Sequence, residues 1–430
     1  MINNAFITLW GERVGAIAWH ADRGIADFEF EPAFIRKGLD VAPFKMPLNR
    51  AAGNIFSFPE LRDTATFKGL PGLLADVLPD KYGNTLINAW LARAGRPADS
   101  MNPVEMLCFI GQRGMGALEF EPVVPKGKDS ATKLEIASLV EVAEEILSGR
   151  KDFHTDLSAD EEKGLLDILK IGTSAGGARA KAVIAYNTET GEVRSGQADA
   201  PDGFSQWLIK FDGVHDAQFG SSRDYGRVEM AYHLMAVACE IEMTECRLLE
   251  EHGRAHFMTK RFDRPDGQSK LHVQTFCAIQ HFDFNNVGLY SYEQLFQTMR
   301  MLRLDYPQAE QMYRRMVFNV LARNCDDHTK NFAFMMNRDG VWRLAPAYDV
   351  CHAYRPGSPW VSMQSLSLNG KREGFTRADL LEVARQMNVK KADSIINQVQ
   401  DALKQWPQYA GECKVEERLQ EAIAKTFVAV

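Results

Sequence analysis

The sequence has few cysteines and no long apolar run. Its 430 residues include seven scattered cysteines, none in a C-x-x-C pair, so neither a disulfide framework nor a zinc site is predicted. There is no run of about 18 apolar residues, and the first residues lack a basic stretch before an apolar core, so neither a membrane span nor a signal peptide is predicted. These absences favour a reducing cytoplasm as the location and no membrane contact.

The sequence also lacks an excess of positive charge. Its net charge is −7 and its pI is near 5.9, which disfavours strong, sequence-independent binding to nucleic acid. Hydrophobic residues make up 45% and charged residues 25% of the chain, as in ordinary globular proteins. The length allows two to four domains or lobes with a large core.

The segment 323–350, RNCDDHTKNFAFMMNRDGVWRLAPAYDV, carries the main chemical signal. Asp326 is followed five residues later by Asn331, and Asp349 lies eighteen residues further on. This spacing is typical of a phosphoryl-transfer site, in which one carboxylate accepts a hydroxyl proton. The amide and the second carboxylate are oxygen ligands suited to Mg²⁺ on ATP.

A predicted hairpin connects these residues. Two apolar runs, 331–336 and 341–344, flank the turn-forming sequence NRDG, so they are predicted to pair and to return Asp349 towards Asn331. The competing interpretation is an Asp- and Asn-rich loop that caps a helix end, since the D-x4-N spacing alone is a weak motif.

Two upstream segments supply candidate partners. The stretch 172–181, GTSAGGARAK, precedes a predicted strand at 182–186 and could cradle a polyphosphate, although it is no Walker A loop. A predicted strand at 207–211 carries Lys210, and a predicted helix at 227–238 carries Glu229, which could pair with it. The alternatives are a flexible connection, a surface lysine and a glutamate favoured by a helix N-terminus.

Taken together, the motifs GTSAGGARAK, WLIKF, KRFDR, NCDDHTKNF and PAYDV resemble those of the HipA-type serine/threonine kinases, toxins of bacterial toxin–antitoxin modules. VGAIAW, FEFEPAF and FKGLPGLLADVLPD near the N-terminus also fit, so the similarity spans essentially the whole chain. The resemblance implies an α+β, bilobal protein-kinase-like fold. We expect an N-terminal α+β subdomain at 1–125, a kinase small lobe at 126–260 and a helical catalytic lobe at 261–430.

The resemblance also implies roles for individual residues, with ATP and Mg²⁺ as cofactors. Asp326 is the expected catalytic base, Asn331 and Asp349 are the expected metal ligands, and Ser174 is the expected autophosphorylation site, with Thr173 as a neighbouring alternative. The expected nucleotide-binding residues are Ala175, Gly176, Gly177, Ala178, Arg179, Lys181, Lys210, Lys260, Phe262, His328, Lys330 and Tyr348. Lys260 and Phe262 belong to the connector that contacts adenine.

The sequence departs from the family pattern at two places. Family members usually carry an acidic residue where this chain has Lys260, and commonly read HQED where it reads HVQT at 272–275. Backbone groups can hold adenine without those side chains, so ATP binding is still expected.

The resemblance implies a HipB-like helix-turn-helix antitoxin as partner, with DNA bound only indirectly through that antitoxin. It also implies a protein substrate, which in some family members is an aminoacyl-tRNA synthetase. Two alternatives stay open. The chain could be a weakly active or inactive kinase-fold partner that acts as corepressor with a helix-turn-helix antitoxin. It could also be a small-molecule kinase, because those enzymes share the D-x4-N and the later Asp.

Overall fold

The computed structural model describes residues 2–93, 95–122, 179–196, 200, 202–216, 220–221, 224–267 and 269–430. Thr173, Ser174 and the loop residues 175–178 lie outside these ranges. The chain forms two compact units. The first contains Met1–Gly226, Arg247–Val273 and Arg338–Gly340, and the second contains Arg227–Cys246, Gln274–Asn337 and Val341–Val430. The domain boundaries expected from the sequence stay predictions.

An antiparallel sheet of five strands opens the first unit, in the order β4-β3-β2-β1-β5. Its first two strands pair as an antiparallel hairpin. Every second side chain of β1 is buried, as expected for a strand with one face on the core. The strands are β1 (Asn4–Leu9), β2 (Glu12–His20), β3 (Ile25–Phe30), β4 (Ile55–Phe56) and β5 (Leu118–Pro122).

Short helices accompany this sheet. Asn102 caps the fourth of them, because its side chain accepts a hydrogen bond from the Glu105 amide, the usual role of asparagine before a first helical turn. The helices are α1 (Pro32–Ile35), α2 (Gly72–Ala75), α3 (Lys81–Arg93) and α4 (Pro103–Ile110), with 3₁₀ turns at Leu48–Arg50 and Pro59–Leu61.

A second five-stranded sheet, in the order β11-β12-β8-β6-β7, completes the first unit. Its apolar face packs against Tyr82 and Leu86 of α3 around Trp207, so one core joins the N-terminal region to this sheet. Its strands are β6 (Lys181–Tyr186), β7 (Val193–Ser195), β8 (Ser205–Lys210), β11 (Cys246–Glu251) and β12 (Arg254–Lys260), and a small ribbon of β9 (His215–Asp216) and β10 (Gly220–Ser221) follows β8.

The second unit is mostly helical. Its longest described helix, α8, begins after the cap Asp305, and every residue from Met312 to Leu321 is buried before the chain reaches Asp326. The helices are α5 (Tyr225–Ala238), α6 (Phe276–Gln280), α7 (Tyr292–Met301), α8 (Tyr306–Leu321), α9 (Arg377–Met387), α10 (Ala392–Lys404), α11 (Trp406–Glu412) and α12 (Glu417–Ala424). No helix within the described ranges has both the length and the apolar character that crossing a membrane requires.

The predicted hairpin after Asn331 is confirmed. After a short strand at His272–Thr275 (β13), β14 (Ala333–Met336) pairs antiparallel with β15 (Trp342–Leu344). Asn337 closes the turn. Its main-chain nitrogen donates to the Val341 carbonyl, and its side-chain oxygen accepts from the Val341 main-chain nitrogen. The α+β fold expected from the sequence is thus observed.

Candidate functional site

The loop after α8 presents Asp326. The side chain of Asp326 is 46% exposed, and its main-chain carbonyl accepts a hydrogen bond of 2.6 Å from the Asn331 side-chain nitrogen. This bond commits the amide nitrogen of Asn331 and leaves the other end of the amide, its oxygen, as the atom suited to a cation. The D-x4-N spacing therefore folds into a single local turn, which ends in a 3₁₀ helix at Thr329–Asn331.

The adjacent carboxylate, Asp327, has a different environment. It is buried and accepts hydrogen bonds from the Tyr292 hydroxyl at 2.6 Å, the Gln364 amide nitrogen at 3.0 Å and the Ser365 main-chain nitrogen at 2.6 Å. These donors come from elements far away in the sequence and tie the loop to the interior. Burial raises the pKa of Asp327 to about 6, although its hydrogen bonds act in the opposite direction.

The segment that carries Asp349 runs beside this loop. Asn324 and Ala353 form a parallel bridge, and the Cys325 nitrogen donates to the Ala353 carbonyl at 3.0 Å. Asp349 itself has a φ of 54°, in the left-handed region. Aspartate tolerates that region better than most residues, and such strain is found mainly where surrounding structure enforces it.

Asn331 and Asp349, the two predicted metal ligands, line one pocket of the second unit. Tyr348, a predicted nucleotide contact, lines it as well. The other lining residues are Ile241, Arg315, Phe318, Asn319, Asn324, Asp327, Phe332, Ala347 and Val350. The hairpin thus returns the chain as the sequence predicts, while Asp326 is linked to the pocket through its bond to Asn331.

The three predicted nucleotide contacts in this unit, Tyr348, Lys330 and His328, are linked by a hydrogen bond and by contacts with one shared ring. The Tyr348 hydroxyl donates to the Lys330 carbonyl at 2.6 Å. The Lys330 ammonium lies 5.2 Å from the ring centre of Phe284, and the His328 ring lies 5.1 Å from the same ring. His328 also places its Nε2 3.9 Å from an Asp326 carboxylate oxygen. These contacts add to the hydrogen bonds of Asp327 in holding the loop.

Lys210 and Lys181 belong to the first unit, where they face each other in register on neighbouring strands. Lys181 is only 2% exposed and forms an ion pair of 2.9 Å with Asp80. Directly opposed like charges destabilise a strand pair, so Asp80 compensates the charge of Lys181. The side chain predicted to contact a nucleotide therefore has a structural partner within its own unit, and its predicted nucleotide role stays a prediction.

The connector residues Lys260 and Phe262 are half-buried at the end of β12. The chain beyond them is fixed by Asp263, which accepts hydrogen bonds from Arg261, Arg264 and the Gly116 nitrogen. Burial alone would raise the pKa of Asp263, but the two guanidinium groups hold it well below its usual range. The connector is thus attached to a loop of the N-terminal region.

The remaining candidates lie in several environments. The Arg179 guanidinium lies 4.2 Å from the ring centre of Tyr225, and Glu229 is buried on α5. His272, in the sequence departure HVQT, is buried beside the Val41 carbonyl, and burial lowers its pKa to about 4. Ser174, Ala175, Gly176, Gly177 and Ala178 lie outside the described residues.

A magnesium nucleotide fits the donor set of the pocket. Within the described ranges, no three His, Cys, Asp or Glu side chains come together as a metal-binding group. Mg²⁺ commonly takes only one or two carboxylates from the protein and completes its octahedron with water and phosphate oxygens. One carboxylate, Asp349, and one amide oxygen, Asn331, agree with that mode of binding.

Sequence reasoning missed four residues that build this site: Tyr292, Arg315, Asp327 and Gln364. Asp327 stands next to Asp326 in the sequence, and a polar Tyr or Gln carries no periodic signal of its own. Only the buried hydrogen bonds identify their role, and those bonds join residues up to 37 positions apart.

Comparisons with known proteins give two family matches. The model described as the HipA-like C-terminal domain matches residues 173–406, and the HipA N-terminal domain matches residues 5–121. A comparison with curated proteins gave no match.

Two solved structures are similar to this chain. One is the HipA, HipB and operator DNA complex of the toxin–antitoxin system of Shewanella oneidensis MR-1. It has a TM-score of 0.69 and 15% identity, and it covers 98% of this chain and 94% of that chain. The other is the proinflammatory kinase CtkA of Helicobacter pylori, with a TM-score of 0.36, 13% identity and coverage of 59% and 90%. The first similarity concerns the fold, and the second is too low to carry an argument.

Proposed function

This chain belongs to the HipA family, and on that premise we propose that it is an ATP-dependent serine/threonine protein kinase, the toxin of a toxin–antitoxin pair. The observation that carries the proposal is the shared pocket of Asn331 and Asp349, together with the bond that joins Asn331 to Asp326. A base and two oxygen ligands for a hard cation are the parts that phosphoryl transfer requires.

In this proposal each residue has one task. Asn331 and Asp349 hold Mg²⁺ through oxygen atoms, and Asp326 orients the substrate hydroxyl and accepts its proton. A magnesium nucleotide bound there would supply the phosphoryl group, and its Mg²⁺ would offset part of the phosphate charge. Lys210 contributes positive charge towards the phosphates, and Lys260 and Phe262 position the adenine. Such catalysis depends on positioning and charge more than on covalent chemistry.

Exposure supports Asp326 over Asp327 as the base. A general base must reach the proton that it accepts, and the Asp326 side chain is half-exposed. Asp327 is buried and already accepts three hydrogen bonds. We therefore assign proton transfer to Asp326 and support of the loop to Asp327.

The test is transfer of labelled phosphate from ATP by the purified chain, to itself or to proteins of a cell extract. Asp326→Ala and Asp349→Ala should each abolish transfer while circular dichroism stays that of the wild type. Asp339→Ala, which removes an exposed aspartate in the turn of the same hairpin, is the matched control and should transfer normally. Near wild-type transfer by either site variant would refute the assignment.

We further propose that the kinase inactivates itself by phosphorylating Ser174. A phosphate adds nearly two negative charges at neutral pH, which would repel the triphosphate from the neighbouring loop. Mass spectrometry after incubation with ATP should find the phosphate on Ser174. Ser174→Ala should stay active for longer, whereas Thr173→Ala should behave as the wild type; the reverse pattern would move the modification to Thr173.

The proposed partner is a HipB-like helix-turn-helix antitoxin. The similar HipA of Shewanella oneidensis MR-1 was solved with HipB and operator DNA, and the net charge of −7 of this chain suits a protein that reaches DNA through a basic partner. Co-purification from the native host should recover a small DNA-binding protein. DNA binding by this chain alone at physiological salt would contradict the indirect role.

A further inference from the structure

Arg315 is a buried cation that lines the pocket of the second unit. It lies on α8, is 5% exposed, and lines the pocket together with Asn331, Tyr348 and Asp349. Its Nη1 donates to the Ala345 carbonyl at 2.8 Å. Its Nε and Nη2 find no hydrogen-bond partner within the part of the chain that the structure describes.

Such an arrangement is costly for the folded chain. A buried charge is normally paired and a buried donor is normally hydrogen-bonded, because the free energy of hydration that the group loses on burial must be offset. Burial indeed lowers the pKa of Arg315 to about 10, although the negative charge of Glu242 acts in the opposite direction. Buried side chains with donors left without a partner are expected chiefly at functional sites.

The neighbouring arginine on the same helix has the partners that a buried arginine normally has. Arg314 is equally buried, but its guanidinium contacts Glu240 at 2.8 Å and Glu310 at 3.4 Å. It also donates to the Cys239 carbonyl at 3.0 Å. The two adjacent arginines therefore differ in pairing and not in burial.

The one bond that Arg315 does make supports the segment that carries Asp349. Arg315 holds the carbonyl of Ala345, the Glu242 carbonyl holds the nitrogen of Ala347, and Tyr348 is tied to Lys330. Asp349 follows directly, in the left-handed conformation. Through Arg315, α8 contacts the start of this segment.

We propose that Arg315 is a positioning residue for the cation site: it holds the segment of Asp349 and keeps two donors and a positive charge beside the ligands Asn331 and Asp349. Groups behind metal ligands orient them and tune their affinity. The unused donors are then available to oxygen atoms that enter the pocket with the metal nucleotide. This inference rests on the proposed kinase function.

The experiment compares Arg315→Met with Arg314→Met in the full-length chain. Mn²⁺ binding in the presence of ATP is measured by electron paramagnetic resonance, and the thermal midpoint and the Mg²⁺ dependence of phosphate transfer are measured on the same samples. Arg315→Met should weaken Mn²⁺ binding about 10- to 100-fold. Its thermal midpoint should stay unchanged or rise, because an apolar side chain removes an unpaired buried charge.

Arg314→Met should do the opposite: it should lower the thermal midpoint, since it removes the ion pairs with Glu240 and Glu310 and the hydrogen bond to the Cys239 carbonyl, and it should retain wild-type Mn²⁺ affinity. Arg315→Lys keeps the charge and should recover part of the affinity; it replaces Arg315→Met if that variant does not fold. Wild-type Mn²⁺ affinity in both Arg315 variants would overturn the inference, as would a loss of affinity only in proportion to a lowered midpoint. If the wild type binds no Mn²⁺ with ATP and transfers no phosphate, the proposed function itself fails.

Discussion

At the scale of single residues, two adjacent aspartates have taken opposite roles. Asp326 is half-exposed, whereas Asp327 is buried among a tyrosine, a glutamine and a main-chain nitrogen. All three of these partners are donors, so an acceptor is required at this position. An amide would direct its own donors at Tyr292 and Gln364 and leave them unsatisfied, at a cost of about 1–3 kcal/mol.

The raised pKa of Asp327 predicts an unusual pH dependence of stability. The native state keeps this proton up to about pH 6, whereas the unfolded chain loses it near the ordinary value of 3.8. The stabilisation by this proton is therefore complete below pH 3.8 and is lost as the pH rises through about 6. Relative to Asp327→Asn, the wild type should lose about 3 kcal/mol of unfolding free energy across that window.

Denaturant unfolding of both chains at pH values between these limits measures the difference. Asp339→Asn, at an exposed position, is the control and should follow the wild type at every pH. A wild-type stability that rises with pH relative to Asp327→Asn would show that the buried carboxylate is stabilised when charged.

At the scale of elements, the pairing of β6 with β8 sets two lysines opposite each other. Strand register is fixed by which side chains face the core, and here Trp207, Ile209 and Ile184 face it. That choice places Lys181 and Lys210 at corresponding positions. Asp80, which precedes α3, makes the pairing tolerable because it neutralises one of the two charges.

We therefore predict that Asp80→Ala destabilises the chain by about 3–5 kcal/mol, because it removes the ion-pair partner of the buried Lys181 ammonium. The double variant Asp80→Leu with Lys181→Met should be close to wild type in stability, since it removes both charges. Glu12→Ala, which breaks the exposed pair with Lys37, should cost less than about 1 kcal/mol. Thermal and denaturant unfolding measure all three.

The same double variant tests the nucleotide role of Lys181. If Lys181 contacts ATP as the resemblance implies, the variant should keep its stability and lose phosphate transfer. Transfer at the wild-type rate would restrict Lys181 to its structural ion pair. A single Asp80→Ala variant with wild-type stability would contradict the ion-pair argument instead.

At the scale of the whole molecule, the proposed function predicts linkage between folding and the metal nucleotide. A ligand that binds only the folded chain, present at about 100 times its dissociation constant, adds about 2.7 kcal/mol of stability. Mg²⁺ with ATP should therefore raise the thermal midpoint of the unit that contains Asp349. EDTA should reverse the shift, and Asp349→Asn should prevent it.

Differential scanning fluorimetry and calorimetry measure this shift. Because the chain has two compact units, unfolding in more than one step is expected, and each transition is followed separately. A shift that persists in EDTA would separate nucleotide binding from the metal. A shift retained by Asp349→Asn would remove that carboxylate from the cation site.

Local sequence signals predicted the elements well. The hairpin after Asn331, the strands predicted at 182–186 and 207–211 and the helix predicted at 227–238 all depend on periodicity and turn residues within a few positions, and the structure has an element at each place. The two metal-ligand candidates followed from their spacing and from the hairpin between them, and both line one pocket.

The sequence by itself determined the α+β class, the main helices and strands, and the pocket partners Asn331 and Asp349, because period and spacing are local properties of the chain. The tertiary structure alone decided which neighbouring aspartate is buried and that Asp80 pairs with Lys181. It also decided that Arg315, unlike Arg314, has two donors without a hydrogen-bond partner among the residues that the structure describes. Burial and partnership arise from contacts between residues far apart in the chain, and packing rather than spacing sets them.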